Sequence, residues 1–237
     1  MARSWRDFFD GEHSIYVNAR HKALHDRMVA RDVAAIVASL AAAGRPPTVL
    51  DFGCGEATEA QEVARVSSSL ILSDAAPAVL ARVRERYRGD PRIRVLDPGE
   101  VEALAPGSLD VVAVNSLLQY LPRAELQRLL EVWRDLLAPG GHLVVGDVVP
   151  PDVSPLTDAA ALLRFGWQGG FLAAAGAGLV RTALSDYRRL RAELGLSTYD
   201  ENVMLSLLEN AGFEARRRRP NIGHNQARMT FVATRPD

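Results

Sequence analysis

Cysteine is nearly absent: Cys54 is the only one in 237 residues. That excludes an internal disulfide framework and fits a reducing, cytoplasmic compartment. No Cys/His spacing of a zinc site is present, so no metal is expected. A surplus of either charge is missing too. At a formal net charge of -1, no global field draws the chain to nucleic acid or acidic lipid, and no nucleic-acid partner is expected. The arginine run at 216–219 is the local exception. It falls in an expected edge strand, where charges discourage edge pairing. Long apolar runs are lacking as well. The longest uncharged stretch, 165–180, has 16 residues including Gln168 and five glycines. A spanning helix needs ~20 apolar residues, so no integral membrane segment is expected. The opening "MARSWRDFFDGEH" is too charged for a secretory signal.

What is present is an ordinary globular composition, 48% hydrophobic and 24% charged, in a length suited to one α/β domain over residues 1–237. Apolar residues at Ile15, Leu24, Met28, Val33, Ile36, Val37 and Leu40 recur at helical spacing, so 13–43 reads as one or two helices ended by "GRPP". Strands and helices then alternate. Strands are predicted at 48–52, 69–74, 93–97, 109–116 and 142–149, with helices at about 57–66, 77–87 and 123–137. "APGG" at 138–141 reads as a Pro-Gly turn. Short Val/Leu runs without polar alternation fit strands covered on both faces, and the alternation predicts a doubly wound, mostly parallel sheet. A helical insert at 152–194 interrupts it. A helix at 200–211 and two extended segments, 213–219 and 227–235, follow and look like an antiparallel pair. The chain divides into a helical lid (1–45), a core (46–150), a roof (151–199) and a closing segment (200–237).

The most informative stretch is "TVLDFGCGEATEAQEVA", beginning at Thr48. A dinucleotide fingerprint needs a third glycine where this chain has Thr58, and no Gly-Lys-Ser/Thr follows for a P-loop. Asp51, two residues before Gly53, would repel a phosphate. Ligands of open α/β sheets lie beyond the carboxyl ends of the strands. An acid there, beside glycines that admit close approach at Gly53 and Gly55, favours a cation. Asp74 ends the second strand 19 residues after Gly55, near the offset at which an acid meets ribose hydroxyls. Asp97 ends the third strand, placed to accept from an exocyclic amine such as that of adenine. A nucleoside carrying an ammonium and a sulfonium, S-adenosylmethionine, meets these demands.

With these residues in place, the chain resembles the class I S-adenosylmethionine-dependent methyltransferases of the small-molecule type. "VLDFGCGEA", "LILSDAAPAVLARVR", "RIRVLD", "LDVVAVNSLLQYLP" and "LLAPGGHLVVGD" resemble that family's successive motifs over about 45–150. The resemblance implies a Rossmann-like seven-stranded sheet with an antiparallel last strand. It also implies cofactor contacts from Asp51, Gly53, Gly55, Asp74, Asp97 and Asn115, with S-adenosylhomocysteine as product. Ala57 stands where the family often has a third glycine.

Methyl transfer asks the protein to align a nucleophile and exclude water, and an alcohol or carbon nucleophile also needs a base. After the fourth strand, Asn115, Gln119 and Tyr120 come near the reacting face, and the fifth strand delivers Asp147 there, a candidate catalytic base or else a helix cap or structural acid. If the first strand of the closing pair runs parallel to the sheet, the loop "NIGHNQ" opens on the same side. His224 is then a candidate base or orienter, or a solvated turn residue, and Asn225 stands beside it. In similar enzymes an N-terminal helix lids the cofactor, so Tyr16 and Arg20 are candidates for its carboxylate. His21 and His25, at i and i+4 with no third ligand, read as helix surface. In the roof, Phe165, Trp167, Phe171 and Tyr187 either shape an apolar acceptor cavity or pack the roof onto the sheet.

The expected function is methyl transfer from S-adenosylmethionine to a small, partly apolar metabolite by in-line displacement. A lipid or quinone methyltransferase at a membrane surface, and a non-catalytic cofactor-binding regulator, are the alternatives. Monomer and homodimer both remain open.

Overall fold

A computed structural model of the protein describes residues 16–41, 45–183 and 196–237. Tyr187, one of the expected roof aromatics, lies outside the described residues.

Helix α1 (Ala19–Leu40) starts at Asn18, whose Oδ1 accepts from His21 N at 2.8 Å and satisfies one of the free first-turn N–H groups. Val33, Ala34, Ile36 and Val37 bury one stripe of it. Strand β1 (Thr48–Phe52) then begins the alternation with α2 (Gln61–Ala64), β2 (Ser69–Ser73), α3 (Pro77–Arg86), β3 (Ile93–Leu96), α4 (Pro98–Glu102), β4 (Leu109–Asn115), α5 (Arg123–Leu136) and β5 (Leu137–Val148). The roof is α6 (Pro155–Gly169) and α7 (Leu172–Ala183), and α8 (Glu201–Asn210), β6 (Glu214–Arg218) and β7 (Met229–Thr234) close the chain.

The sheet has seven strands in the order β3-β2-β1-β4-β5-β7-β6. β1 to β5 pair in parallel, and β7 is antiparallel to both β5 and β6. β6 therefore points the same way as β1 to β5, and the loop between β6 and β7 opens at the carboxyl edge where all five parallel strands end. The period of two along each strand divides its side chains between two cores. Leu50, Val112, Val114, Leu143 and Val145 face α5 and α8, whereas Val49, Val111, Ala113 and Val144 face α1, α2 and α3.

Two local expectations need correction. The helix expected over 57–66 shrinks to Gln61–Ala64, because Ala57 has φ +46° and breaks the helical path. "APGG" is not a free turn but part of β5. Leu137 pairs with Leu109, the register then shifts, and His142 pairs with Val111. Gly140, at φ +72°, donates to Arg235 O at 2.9 Å, so the kink becomes a bulge held by the chain end.

The roof has a small core of its own. Phe165, Phe171 and Ala175 pack with Val17, Leu24 and Met28 of the lid segment. A Cβ on Gly178 would overlap Val17, so α7 reaches the lid only because that position is glycine. Phe165 and Phe171 thus pack roof to lid.

Helix α5 carries the deepest anchor. Leu126, Leu129, Leu130, Trp133 and Leu136 form its buried face, and Trp133 meets Phe52 edge-on at 5.4 Å between ring centroids. The Trp133 Nε1 is buried without a partner. Trp133→Ala should cost about 3–5 kcal/mol of unfolding free energy in urea titration. Trp133→Phe should cost clearly less, because it removes the unsatisfied donor while keeping most of the ring. Equal losses in the two variants would contradict this account of the anchor.

Candidate active site

The carboxyl edge carries two groups of side chains. The first surrounds the loop after β1. Gly53 and Gly55 have φ of +77° and +56°, values that favour glycine, and the N–H groups of Gly53 and Cys54 both donate to Ser73 O at the end of β2. Asp74 accepts from Gly55 N and from Ala76 N, each at 2.9 Å, which fixes the loop to the second strand. Burial raises the Asp74 carboxyl above its usual range, against the pull of those N–H donors. Asp51 makes no hydrogen bond or ion pair among the described residues. Burial, then the neighbouring Asp74 charge, push its pKa up to about 7. The same burial and acids raise the Cys54 thiol, so it stays protonated.

Space accompanies this charge. A Cβ built on Gly55 would meet nothing within 4 Å. An acid without a partner, an open cradle at Gly55 and the buried, unpartnered Asn115 Oδ1 fit a ligand with a cation and donor groups. Asp97 caps α4, accepting from Glu100 N at 2.9 Å in a reciprocal capping box.

The second group is a polar chain along the ends of β4 and β5. Asn115 Nδ2 donates to Ser116 Oγ at 3.1 Å, and Ser116 Oγ donates to Asp147 Oδ2 at 2.8 Å. Arg228 Nη1 donates to Asp147 Oδ2 at 2.8 Å, while its Nη2 lies 3.3 Å from both Asp158 oxygens. Asn225 Nδ2 donates to Asp158 Oδ1 at 2.8 Å. Ser116 and Asp147 hold φ of +55° and +59°, strained for residues with a Cβ. Such strain concentrates at functional sites.

Above this chain sit three imidazoles. The His224 ring stacks on Phe165 at 4.5 Å between centroids and meets His25 at 5.6 Å and His21 at 6.3 Å. His21 stacks on Phe171 at 5.1 Å, and its Nδ1 accepts from Val17 N at 3.2 Å. Burial, then the neighbouring histidine, lower both His21 and His224 to about 4. Burial lowers His25 as well. All three are neutral at pH 7. The reading of His21 and His25 as helix surface is therefore corrected: they face inward.

The lid is tied to both sides of the cleft. Asp26 of α1 accepts from Thr58 Oγ1 at 2.7 Å, beside the glycine loop, and Asp32 accepts from Gly223 N at 2.8 Å, in the β6–β7 loop. Tyr16 points its hydroxyl at Asp26, 3.4 Å away, and burial raises its pKa.

Residues 49–141 match the family model described as "Methyltransferase domain". Over that span the chain resembles a methyltransferase domain. Solved structures share the fold. An O-methyltransferase family protein from Burkholderia thailandensis superimposes with a TM-score of 0.59 at 18% identity, over 100% of this chain and 64% of that one. The 1,6-didemethyltoxoflavin-N1-methyltransferase of the same organism, with S-adenosylhomocysteine bound, has a TM-score of 0.54 at 19% identity, over 88% and 79%. Among curated proteins, the nonribosomal peptide synthetase CymA of Salinispora arenicola is 32% identical over 108 residues. That alignment covers 44% of this chain and spans only 1% of CymA.

The sequence-derived candidates separate. Asp51, Gly53, Gly55 and Asp74 lie at the glycine-loop end of the strands, whereas Asn115 faces β5 at Gly146. Asp147, His224, Asn225 and Phe165 come together beyond β5. Gln119 is buried with Oε1 unpartnered, and Tyr120 lies close to Arg228. Two candidates lie elsewhere. Arg20 Nε donates to Gly169 O at 2.6 Å, so it ties lid to roof. Trp167 is 75% exposed. Arg228, Asp158 and Ser116 were missed. The available signal was position: Arg228 follows His224 by four residues in the same loop.

The histidines set a pH dependence. A histidine with folded pKa lowered to about 4 binds fewer protons folded than unfolded between that value and its ordinary ~6.5. Stability from His224 is thus complete above pH ~6.5 and lost as pH falls towards 4. The unfolding free energy of wild type minus that of His224→Phe should shrink steadily across that window in urea titrations. A difference independent of pH would show that His224 does not titrate as placed.

Proposed function

We propose that the enzyme binds S-adenosylmethionine beside the β1 loop and methylates a small, partly apolar acceptor held between β5, the β6–β7 loop and the roof. The observation that carries the reading is Asp51, a half-buried carboxylate whose oxygens have no partner among the described residues, beside the open cradle at Gly55. When bound, S-adenosylmethionine supplies a methyl group already activated by its sulfonium.

The chain's residues divide the remaining work. Asp51 binds the ammonium. Asp74 keeps lone pairs free beyond its two backbone donors and accepts from vicinal ribose hydroxyls. Asp97, with Oδ1 taken by the helix cap, offers Oδ2 to the adenine amine. Asn115 Oδ1 accepts a donor at the cleft floor, and Tyr16 covers the cleft from the lid. His224, neutral at pH 7, takes the proton from an acceptor hydroxyl or carbon acid as the methyl group is attacked. Its Nδ1 is buried without a partner, which leaves Nε2 as the accepting nitrogen. Asp147 has its charge engaged by Arg228 and Ser116, so it orients. Gln119, Tyr120 and Asn225 line the acceptor side, and Phe165 holds the His224 ring by stacking.

Asp51 provides the direct test. A carboxyl with pKa about 7 is roughly half protonated at pH 7, and an ammonium beside it favours the charged form, so binding releases protons. The calorimetric enthalpy of S-adenosylhomocysteine binding at pH 7 should differ between phosphate and Tris buffers in proportion to their ionisation enthalpies. Asp51→Asn should abolish that difference and weaken binding by about 1–3 kcal/mol. Buffer-independent enthalpies in wild type would remove Asp51 from the cofactor site. With an acceptor from a metabolite screen, His224→Ala should lower turnover by about 10²-fold and leave cofactor affinity intact. Wild-type turnover in that variant would rule out His224 as the base.

A second reading, a lipid or quinone acceptor met at a membrane surface, is favoured by one observation. Leu156, Trp167 and Val180 of the roof are 81%, 75% and 63% exposed. No helix among the described residues is long and apolar enough to cross a membrane. Co-sedimentation with phosphatidylcholine vesicles, lost in Trp167→Ser, supports this reading. Absence of co-sedimentation rejects it.

A further inference from the structure

A cavity of about 470 Å³ lies beyond the acceptor side, between the end of β6, the β6–β7 loop and the start of the roof. Four guanidinium groups line it: Arg217, Arg218, Arg219 and Arg228. In a chain with net charge -1, this is a local concentration of positive charge.

The four differ in what already holds them. Arg217 pairs with Glu201, and Arg228 pairs with Asp147 and Asp158. Both side chains are about four-fifths buried, with 21% and 19% exposed, and the Nε of each is buried without a partner. Arg218 and Arg219 have no acid within salt-bridge distance among the described residues. Asp152 is the one acid on the wall. Other polar groups there are committed: Gln226 Nε2 donates to Asn221 O and Gly223 O, and Asn221 Nδ2 donates to Ile222 O and Asn225 O. The charged side chains on the wall without an ion pair among the described residues are thus Arg218 and Arg219, with Asp152 as the one opposing charge. Planar guanidinium groups match the oxygens of carboxylates and phosphates, often two at a time.

Size and position narrow the ligand. The volume lies within the range of small-molecule sites and is generous for an inorganic anion alone. Arg228 belongs to both places: it lines the cavity and grips Asp147 at the reacting edge. The cavity wall meets the end of β5 through Arg228, the residue that holds Asp147.

We propose that this cavity holds the anionic group, a carboxylate or phosphate, of the methyl acceptor, so that the acceptor class is small organic acids or phosphate esters. The assignment to an acceptor rests on the methyl-transfer reading; binding of an anion by the cavity does not. Arg216 to Arg219 thus do more than guard an edge strand, because the last two of the run face a ligand.

The test uses the full chain and three probes titrated separately by calorimetry at low salt: phenyl phosphate, benzoate and inorganic phosphate. Phenyl phosphate or benzoate should bind wild type and bind at least 10-fold more weakly to the double variant Arg218→Gln, Arg219→Gln. Arg88→Gln, a remote exposed control, should bind as wild type. Arg219→Gln alone, at an exposed position that folding does not need, should show part of the loss. S-adenosylhomocysteine should bind the double variant as it binds wild type, which separates the two sites. No binding of either organic probe, or equal binding to wild type and the double variant, overturns the anion site. Inorganic phosphate binding as tightly as phenyl phosphate overturns the assignment to an acceptor and leaves a site for free phosphate. Failure of S-adenosylhomocysteine to bind wild type overturns the methyl-transfer reading, whatever the anion probes do.

Discussion

The Arg228 guanidinium stands between two carboxylates, Asp147 at the end of β5 and Asp158 in the first turn of α6. Three parts of the chain meet in that contact: the sheet, the closing loop and the roof. The two acids raise the Arg228 pKa further although burial opposes it, so the group is charged throughout. Removing one partner of such a group leaves an uncompensated charge at a cost of about 3–5 kcal/mol, so the geometry is held by a penalty as much as by an attraction. Ser116 and Asp147 keep left-handed backbone beside it, which persists only where surroundings over-determine it. The positions of His224, Asn225 and the roof helices follow from this clamp.

Along the carboxyl edge the charge changes sign. At the glycine loop, Asp51 and Asp74 repel each other and burial raises both, so that end is poised for a cation. At the outer strands, arginines gather around a cavity poised for an anion. Between them lie three neutral imidazoles and two phenyl rings, a region of low polarity with one basic nitrogen to offer. Such an ordering of charge along one edge favours positive groups at one end and negative groups at the other. The lid is part of this arrangement. Asp26 joins α1 to Thr58 and Asp32 joins it to Gly223, so one helix spans both ends.

The acids and glycines at the ends of the first three strands were legible in the amino-acid order because they are local. Asp51 lies in the last pleat of β1, Gly53 and Gly55 follow that strand, and Asp74 and Asp97 follow the next two, so strands read from Val/Leu runs locate them all. The acceptor end was legible only in outline. The parallel direction of β6 was enough to place His224, since a parallel strand must deliver its loop to the common edge. His21 and His25 were misread because a single helix gives no sign of which neighbour will cover its polar face. Phe165 and Phe171 supply that cover for His21 from the roof, more than 140 positions away, and His224 supplies it for His25. Arg20 and Trp167 went astray for the same reason, since their surroundings depend on how roof meets lid. The "APGG" turn was misread because a bulge and a turn share the same glycines, and only the pairing with Arg235 at the chain end distinguishes them.

The amino-acid order by itself determined the alternation of strand and helix, the two-sided burial of the sheet, the class of fold and the acids that end the strands. These depend on periodicity and on spacing along one segment, where each residue's neighbours are known from the chain. The tertiary structure alone decided that three histidines form one cluster, that Arg228 clamps Asp147 to Asp158, and that the arginine run borders a cavity. Each of those contacts joins segments distant in sequence, and burial, desolvation and ion pairing act through space, on whichever groups the packing brings within a few ångströms.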